Sequence, residues 1–316
     1  TAKRPTLALL LAAAALLVAF LFISSVVIVP ASVYRKADSL YKAGRFDEAA
    51  AKFELLKDYR DSEARLDGAL NASAYEKAEK AYAAGDYGAA FLGFYCLGDY
   101  LDAVEKAGTA RSEWLLSAHA GDAVTFGRYG PAGFPERKEP VEWVVAEIDG
   151  TTIMLVSRYA LTSMYFSESR EDVTWETSRI RKWLNGEFFA GTFSEAEKSL
   201  IGNGPLPAGV NPAFPVPTAE TADAVFLLSI DEAARCFASD AERQCGATED
   251  AERNGTVVYR KNDQYYGNCT WWLRSPGKDA QSAAVVGYDG SIQYVGEAVG
   301  FVAEAVRPAI RIELGP

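Results

Sequence analysis

The chain has 316 residues, 49% hydrophobic, 12% aromatic and 24% charged, the composition of a globular protein and not of a disordered one. Its 43 acidic residues outnumber 32 basic ones, for a net charge of −11. An acidic surface repels nucleic acid and anionic lipid headgroups, which argues against nucleic-acid binding. The length allows two or three ordinary domains.

Beyond a short flank of residues 1–6, residues 7–29 read LALLLAAAALLVAFLFISSVVIV, 23 positions without charge and with only Ser24 and Ser25 polar. A helix of that length spans roughly 34 Å against a hydrocarbon core of about 30 Å. The sequence therefore predicts a transmembrane helix over residues 7–29, with the lipid bilayer as a partner. The run exceeds the roughly 7–15 apolar residues of a signal peptide. Pro30-Ala31-Ser32-Val33 is a weak cleavage site, and no cysteine follows that would make a lipoprotein. Lys3 and Arg4 precede the run and Arg35 and Lys36 follow it, so the positive-inside count is tied. The expected location is a single-pass cell-membrane protein with an extracytoplasmic C-terminal part.

Residues 34–62 and 75–103 align at an offset of 41 without a gap. Twelve positions are identical, among them Tyr34/Tyr75, Gly44/Gly85, Phe53/Phe94, Tyr59/Tyr100 and Asp61/Asp102. Each copy predicts a helix, a turn at the glycine and a second helix carrying Phe46, Ala49, Ala50 and Phe53 on one face. A further helix is expected around residues 101–119. The pattern resembles tetratricopeptide-type repeats. Such repeats stack to share a core and usually need three or more copies. Two copies over residues 34–119 favour a spacer over a peptide-binding groove.

From Gly121 onward helical spacing gives way to strands and turns. Residues 124–128 alternate like an edge strand. Residues 142–148 and 152–157 flank Asp149-Gly150, a hairpin signal. Residues 175–189 predict a helix through Ile180, Trp183, Leu184 and Phe188. Ser194-x-x-Glu197 and Ser229-x-x-Glu232 are capping boxes that open short helices. Residues 202–217, rich in proline and glycine, predict a loop. Strands are expected at residues 271–274, 283–288, 292–295 and 306–314, with a second turn at Asp289-Gly290. The predicted class is α+β on a mostly antiparallel sheet.

The blocks GDAVTFGRYG, VEWVVAEIDGTTIMLVSRYAL, TWETSRIRKWLNGEFF, FSEAEKSLI, DAVFLLSIDEA, CGATEDA, WWLRSPG and AVRPAIRIEL occur in this order. Together they resemble a widespread bacterial domain-of-unknown-function family whose hallmarks are R-x-W-L-N, F-L-L-S, W-W-L-R-S-P-G and V-R-P-A. The resemblance covers about residues 120–314 and implies a frequent N-terminal membrane span and similar aromatic repeats. The polar stretch usual before its KEP-like block is missing here at residues 131–138. The motif order is similar to that of C-type lectin-like domains, which implies a lectin-like head over residues 120–316.

Catalytic constellations are sparse. His119 is the only histidine and no G-x-S-x-G occurs, so Ser-His nucleophilic chemistry lacks its base. Gly202-x-Gly204 is followed by Pro205 and Pro207, which remove the amide donors a phosphate needs. Cys96, Cys236, Cys245 and Cys269 form no C-x-x-C pair, so no metal site or cofactor is expected. Cys245 and Cys269 could join as a disulfide in an oxidising compartment, worth on the order of 3 kcal/mol. Two free buried thiols are the alternative. The candidate ligand-binding residues are Trp272, Arg274, Tyr288, Asp289, Tyr294 and Arg307. Neighbouring tryptophans on a strand face opposite sides, so one of Trp271 and Trp272 is core and the other is open to a sugar or peptide, unless both are buried around an internal Arg274 ion pair. The expected function is a surface protein whose lectin-like domain binds a glycan, peptide or protein. The alternatives are a structural envelope protein without a soluble ligand and an enzyme working through carboxylates.

Overall fold

The computed structural model describes residues 29–130, 137–168, 171–301 and 304–315. The predicted transmembrane helix is corrected here. Among the described residues no helix is long and apolar enough to cross a membrane, and residues 7–28 of the predicted span lie outside them. The first described helix, α1 (Val29–Lys42), begins at the last residue of that span. It carries Arg35, Lys36, Asp38 and Lys42 and buries only Ala37 and Leu40. A helix so charged packs against protein and water, not hydrocarbon.

The chain divides into two compact units, one running to Gly85 and including Gly93–Ala107, the other made of Asp86–Leu92 and Gly108 onward. After α1 come α2 (Phe46–Glu54), α3 (Ser62–Ala83), α4 (Tyr87–Cys96) and α5 (Ala103–Ser117). The sequence repeat is also a repeat of contacts. Tyr34 meets Phe53 edge-on at 5.6 Å and Tyr59 at 6.1 Å, and its hydroxyl donates to Asp61. One period on, Tyr75 meets Phe94 at 5.5 Å and Tyr100 at 6.0 Å, and donates to Asp102. The backbone repeats as well: Gly44 and Gly85 take φ of 72° and 79°, and Arg60 and Leu101 take 56° and 53°. Only glycine adopts the first of these turns without a Cβ penalty. Ala37, Leu40, Ala49, Ala50, Phe53, Leu56 and Ala69 form the apolar core of the first copy.

The second unit is α+β. Its strands are β1 (Ala123–Tyr129), β2 (Glu139–Asp149), β3 (Thr152–Ser157), β4 (Thr162–Ser163), β5 (Pro205–Leu206), β6 (Thr221–Ala222), β7 (Val225–Phe226), β8 (Trp271–Pro276), β9 (Ser282–Val286), β10 (Ile292–Ala298), β11 (Ala305–Val306) and β12 (Ala309–Glu313). One sheet has the order β1-β2-β3-β12-β7, a second has β10-β9-β8-β11-β4, and β5 pairs with β6. Pairing is antiparallel except between β11 and β8, where Ala305 lies beside Trp271. The β2–β3 hairpin turns at Asp149-Gly150, pairing Ile148 with Ile153 and Val145 with Leu155. Trp143 anchors this sheet. Its indole donates to the Phe126 carbonyl at 2.7 Å, and its ring lies 6.3 Å from Phe193.

The helix predicted over residues 175–189 is broken into pieces. A 3-10 turn at Trp175–Thr177 precedes α6 (Arg179–Trp183), a π segment at Leu184–Phe188 and α7 (Phe189–Thr192). Asn185 sits in the wide turn. Its amide donates to the carbonyls of Arg181 at 3.1 Å and Val225 at 2.9 Å, while its oxygen accepts from the amides of Ala224 and Val225. The asparagine thereby holds β7 against the helix. Both predicted capping boxes form, opening α8 (Glu195–Leu200) and α9 (Ile230–Arg235). Two short helices, α10 (Asp240–Arg243) and α11 (Glu249–Arg253), follow.

Candidate functional site

Three of the residues singled out from sequence are core residues. Trp272 is 0% exposed, its indole donates to the Met164 carbonyl at 3.0 Å, and its ring lies 5.5 Å from Phe166. Trp271 is equally buried and donates to the Arg243 carbonyl at 3.2 Å. Every residue of β8 is buried, so alternation along the strand offers no open face to either tryptophan. Arg274 pairs with Glu232, Nη2 to Oε1 at 3.0 Å, and donates to the Leu227 carbonyl at 2.9 Å. Arg307 donates to the carbonyls of Ser157 at 2.9 Å and Arg243 at 3.1 Å, with its guanidinium 4.9 Å from the Trp271 ring. The structure places Trp272, Arg274 and Arg307 inside, bonded to internal partners. Burying a cation is costly unless acceptors surround it; Arg307 and the terminal nitrogens of Arg274 have them, while Arg274 Nε is without a hydrogen-bond partner.

The R-x-W-L-N block behaves the same way. Arg181 pairs with the buried Asp223 at 2.7 Å, and Trp175 donates to the other oxygen of that carboxylate at 2.9 Å.

The exposed candidates lie around the β9–β10 turn. Tyr288 is 38% exposed and stacks on Tyr259 with ring centres 4.3 Å apart and planes 16° from parallel. Tyr265 stands edge-on to both, at 6.0 Å from Tyr259 and 5.8 Å from Tyr288. The three rings form a tyrosine platform contributed by two segments far apart in sequence. Asn268 joins those segments by donating to the Tyr288 carbonyl at 3.1 Å and to Gln244 at 3.0 Å. The Tyr259 amide donates to the Asn268 carbonyl at 2.8 Å.

Polar groups ring the platform. The Tyr259 hydroxyl donates to Asp263 at 2.8 Å, and that bond pushes the phenol up to about 12. Lys261 lies 5.8 Å from the Tyr259 ring, and Arg260 lies 5.9 Å from the ring of Tyr266, which is 58% exposed. Asp289 is occupied in its own turn, accepting from the Ser291 amide at 3.0 Å and hydroxyl at 2.7 Å. Burial acts to raise its carboxyl, but the Ser291 bonds outweigh burial and hold it below the usual carboxylate value. Tyr294, also 38% exposed, lies on the edge strand β10 and outside the stacked trio. Sequence reasoning found Tyr288 but missed Tyr259 and Tyr265. The only local signal was the density of tyrosines in residues 259–266.

A cleft of about 880 Å³ opens elsewhere on this unit, lined by Arg128, Tyr129, Lys138, Glu142, Asp250 and Arg253 among others. Three of its carboxylates are partnered: Arg253 holds Asp250 at 2.8 Å and Glu249 at 2.6 Å, and Arg158 approaches Glu142 at 3.5 Å, while Glu139 also lines the cleft. Among the described residues no group of three histidine, cysteine or acidic side chains gathers as metal ligands. Cys245 and Cys269 are free, buried thiols.

An antiparallel α+β unit with a buried motif core and a partly exposed tyrosine cluster defines the class of protein. The model of a family described as domain of unknown function (DUF6273) matches residues 149–314, more than half of the chain, and the chain belongs to that family. No curated protein and no solved structure matches the chain.

Proposed function

We propose that the second unit is a lectin-like binding head that holds a glycan by stacking a sugar ring on the tyrosine platform. The observation that carries this reading is the pre-stacked trio of the exposed Tyr288 and the half-buried Tyr259 and Tyr265. An aromatic face in water offers a sugar ring a flat apolar contact, and its two rotatable torsions are already fixed by the neighbouring rings. Asp263, Lys261 and the phenolic hydroxyls supply acceptors and donors at the rim, as sugar hydroxyls require. The motif order and the antiparallel α+β architecture support the lectin-like assignment. The helical repeats, similar to tetratricopeptide-type hairpins, serve as a spacer, since two copies present little groove.

Isothermal titration of the full chain against a panel of oligosaccharides tests the proposal. Tyr288→Ala should weaken the glycan that binds by roughly ten-fold or more, since an aromatic contact is worth about 0.5–1.5 kcal/mol beyond its buried area, while the melting temperature stays within about 2 °C. Binding that is unchanged in Tyr288→Ala removes the platform from the site. Silence across the panel, with stable envelope neighbours captured by cross-linking, would favour the structural role. Binding to peptides alone would replace the glycan by an extended chain on the same rings.

A further inference from the structure

Cys245 and Cys269 stand at the two ends of the excursion that carries α11, Tyr259 and Tyr265. The antiparallel bridge between Gly246 and Asn268 fixes the register, and that register puts Cys245 directly opposite Cys269. The Cys269 amide donates to the Cys245 carbonyl at 2.8 Å. Opposite residues joined by such a bond have Cα atoms about 5.5 Å apart, inside the roughly 4.4–6.8 Å that a disulfide spans. The register thus brings the two cysteines within disulfide range along the backbone.

The side chains agree with the backbone. The two residues are 1% and 0% exposed. The Cys269 thiol points at the Cys245 carbonyl at 3.4 Å, and the Cys245 thiol points at the Gly246 carbonyl at 3.4 Å. Burial acts to raise the Cys245 thiol, but the Cys269 S–H bond and the Arg307 guanidinium outweigh it and lower the thiol on balance. Cys269 moves the other way, raised by its bond to Cys245 and by burial. The pair is thus unequal, one sulfur disposed to ionise and the other to keep its proton. Cys236 is pushed up to about 12, chiefly by burial, with nearby carboxylates adding to it and Arg235 too weak to offset them. A thiolate, and not a thiol, attacks a disulfide.

We propose that Cys245 and Cys269 form a reversible disulfide that locks the mouth of the 246–268 loop, with a small external disulfide such as oxidised glutathione as the oxidant. The Cys245 thiolate attacks one sulfur of the external disulfide, forming a mixed disulfide and expelling one small thiolate. The Cys269 thiolate then attacks the Cys245 sulfur, closing the protein disulfide and expelling the second small thiolate. The two protons released by the cysteines leave on the two small thiols, and two electrons pass from the protein to the oxidant. Because both sulfurs are buried, the exchange proceeds through local opening of the loop, whose outer residues Val257 and Tyr266 are 66% and 58% exposed. The lock stands apart from the glycan reading, since it is detected without any ligand.

The test uses the full chain with Cys96→Ser and Cys236→Ser, equilibrated in glutathione buffers of rising oxidation and then alkylated. The expected result is a loss of two hydrogens in the intact mass, a linked peptide holding Cys245 and Cys269, and full return on adding dithiothreitol. Hydrogen exchange in 246–268 should slow by roughly ten-fold or more in the oxidised form, because the cross-link removes open loop states. With Cys269→Ser added, Cys245 should stop at the glutathione mixed disulfide. The proposal is overturned if the native protein stays reduced at every ratio while the urea-unfolded chain oxidises. It is equally overturned if the link forms and exchange in 246–268 is unchanged.

Discussion

Replacing Glu232 by Gln deletes the anionic half of a buried ion pair while keeping the length of the side chain. Arg274 is 2% exposed and Glu232 5% exposed. The carboxylate receives both terminal nitrogens of Arg274 and also the Ser229 amide at 2.9 Å, so it closes the cap of α9 as well. In Glu232→Gln the guanidinium stays buried, with the carbonyls of Leu227 and Pro207 and the one amide oxygen of the glutamine left to it. Breaking one side of a buried pair costs about 3–5 kcal/mol. Because glutamine retains one acceptor oxygen, the low end, about 3 kcal/mol, is expected. At about 2–4 °C per kcal/mol for a unit of this size, the melting temperature should fall by about 6–12 °C.

Urea unfolding followed by tryptophan emission measures this loss, since Trp271 and Trp272 share β8 with Arg274. Burial acts to raise the Glu232 carboxyl, but Arg274 and the Ser229 bond outweigh it and set the carboxyl below its ordinary value of 4.5. Its folded pKa is therefore below the unfolded one. The stability it contributes is present above about pH 4.5 and fades as pH falls through the folded value. The wild type should lose stability steeply on that acid limb, and Glu232→Gln should lose less. The double change Glu232→Met with Arg274→Met should be milder than either single, because no uncompensated charge remains. A Glu232→Gln loss below about 1 kcal/mol, or a double variant as poor as the sum of the singles, would refute the reasoning from desolvation.

Three further outcomes follow from other contacts. Gly85→Ala forces a Cβ into a turn with φ of 79° and open space around it, so backbone strain alone should cost about 1–2 kcal/mol, read from helical circular dichroism on heating. Trp143→Phe leaves the Phe126 carbonyl without its donor in a buried site, and urea titration should show a loss of about 1–3 kcal/mol. Burial, with Glu297 nearby, pushes Glu304 up to about 7 from 4.5. The folded chain then binds this proton more tightly than the unfolded one, so stability is full below about pH 4.5 and is lost as pH rises through about 7. The total is at most about 3 kcal/mol. Urea midpoints from pH 4.5 to 8 should flatten in Glu304→Gln, and an unchanged slope would assign the pH dependence to other groups.

What could be read from the sequence was local. The repeat at an offset of 41 carried its own contact pairs, because Tyr34 and Asp61 recur together as Tyr75 and Asp102. The Asp-Gly turns and the Ser-x-x-Glu caps were legible because each is completed within a few residues. The π segment was not legible, since Asn185 widens that helix to reach β7, some 40 residues away. Nor were the two-residue strands β4, β7 and β11, which are defined by their pairing within the sheets and not by any local pattern. Strand alternation left two readings of Trp271 and Trp272, one open to a ligand or both buried around an internal Arg274 ion pair. Both are buried, because β8 is covered on both sides, which period-2 spacing cannot report. The tyrosine platform was invisible for a related reason, its rings coming from separate segments that meet through ring contacts and through Asn268.

The β2–β3 hairpin has a practical corollary for dissecting this protein. The matched family segment begins at Asp149, at the tip of that hairpin, so the boundary falls inside a sheet. A fragment started there would forfeit β1 and β2 and would strip β3 of the neighbour that pairs Val144 with Val156 and Val145 with Leu155. The orphaned margin, still bearing Ile153 and Leu155, would recruit strands from other molecules and precipitate. Expression boundaries for the head therefore belong upstream of Ala123, and the cooperative folding block is longer than the stretch that kinship alone delimits.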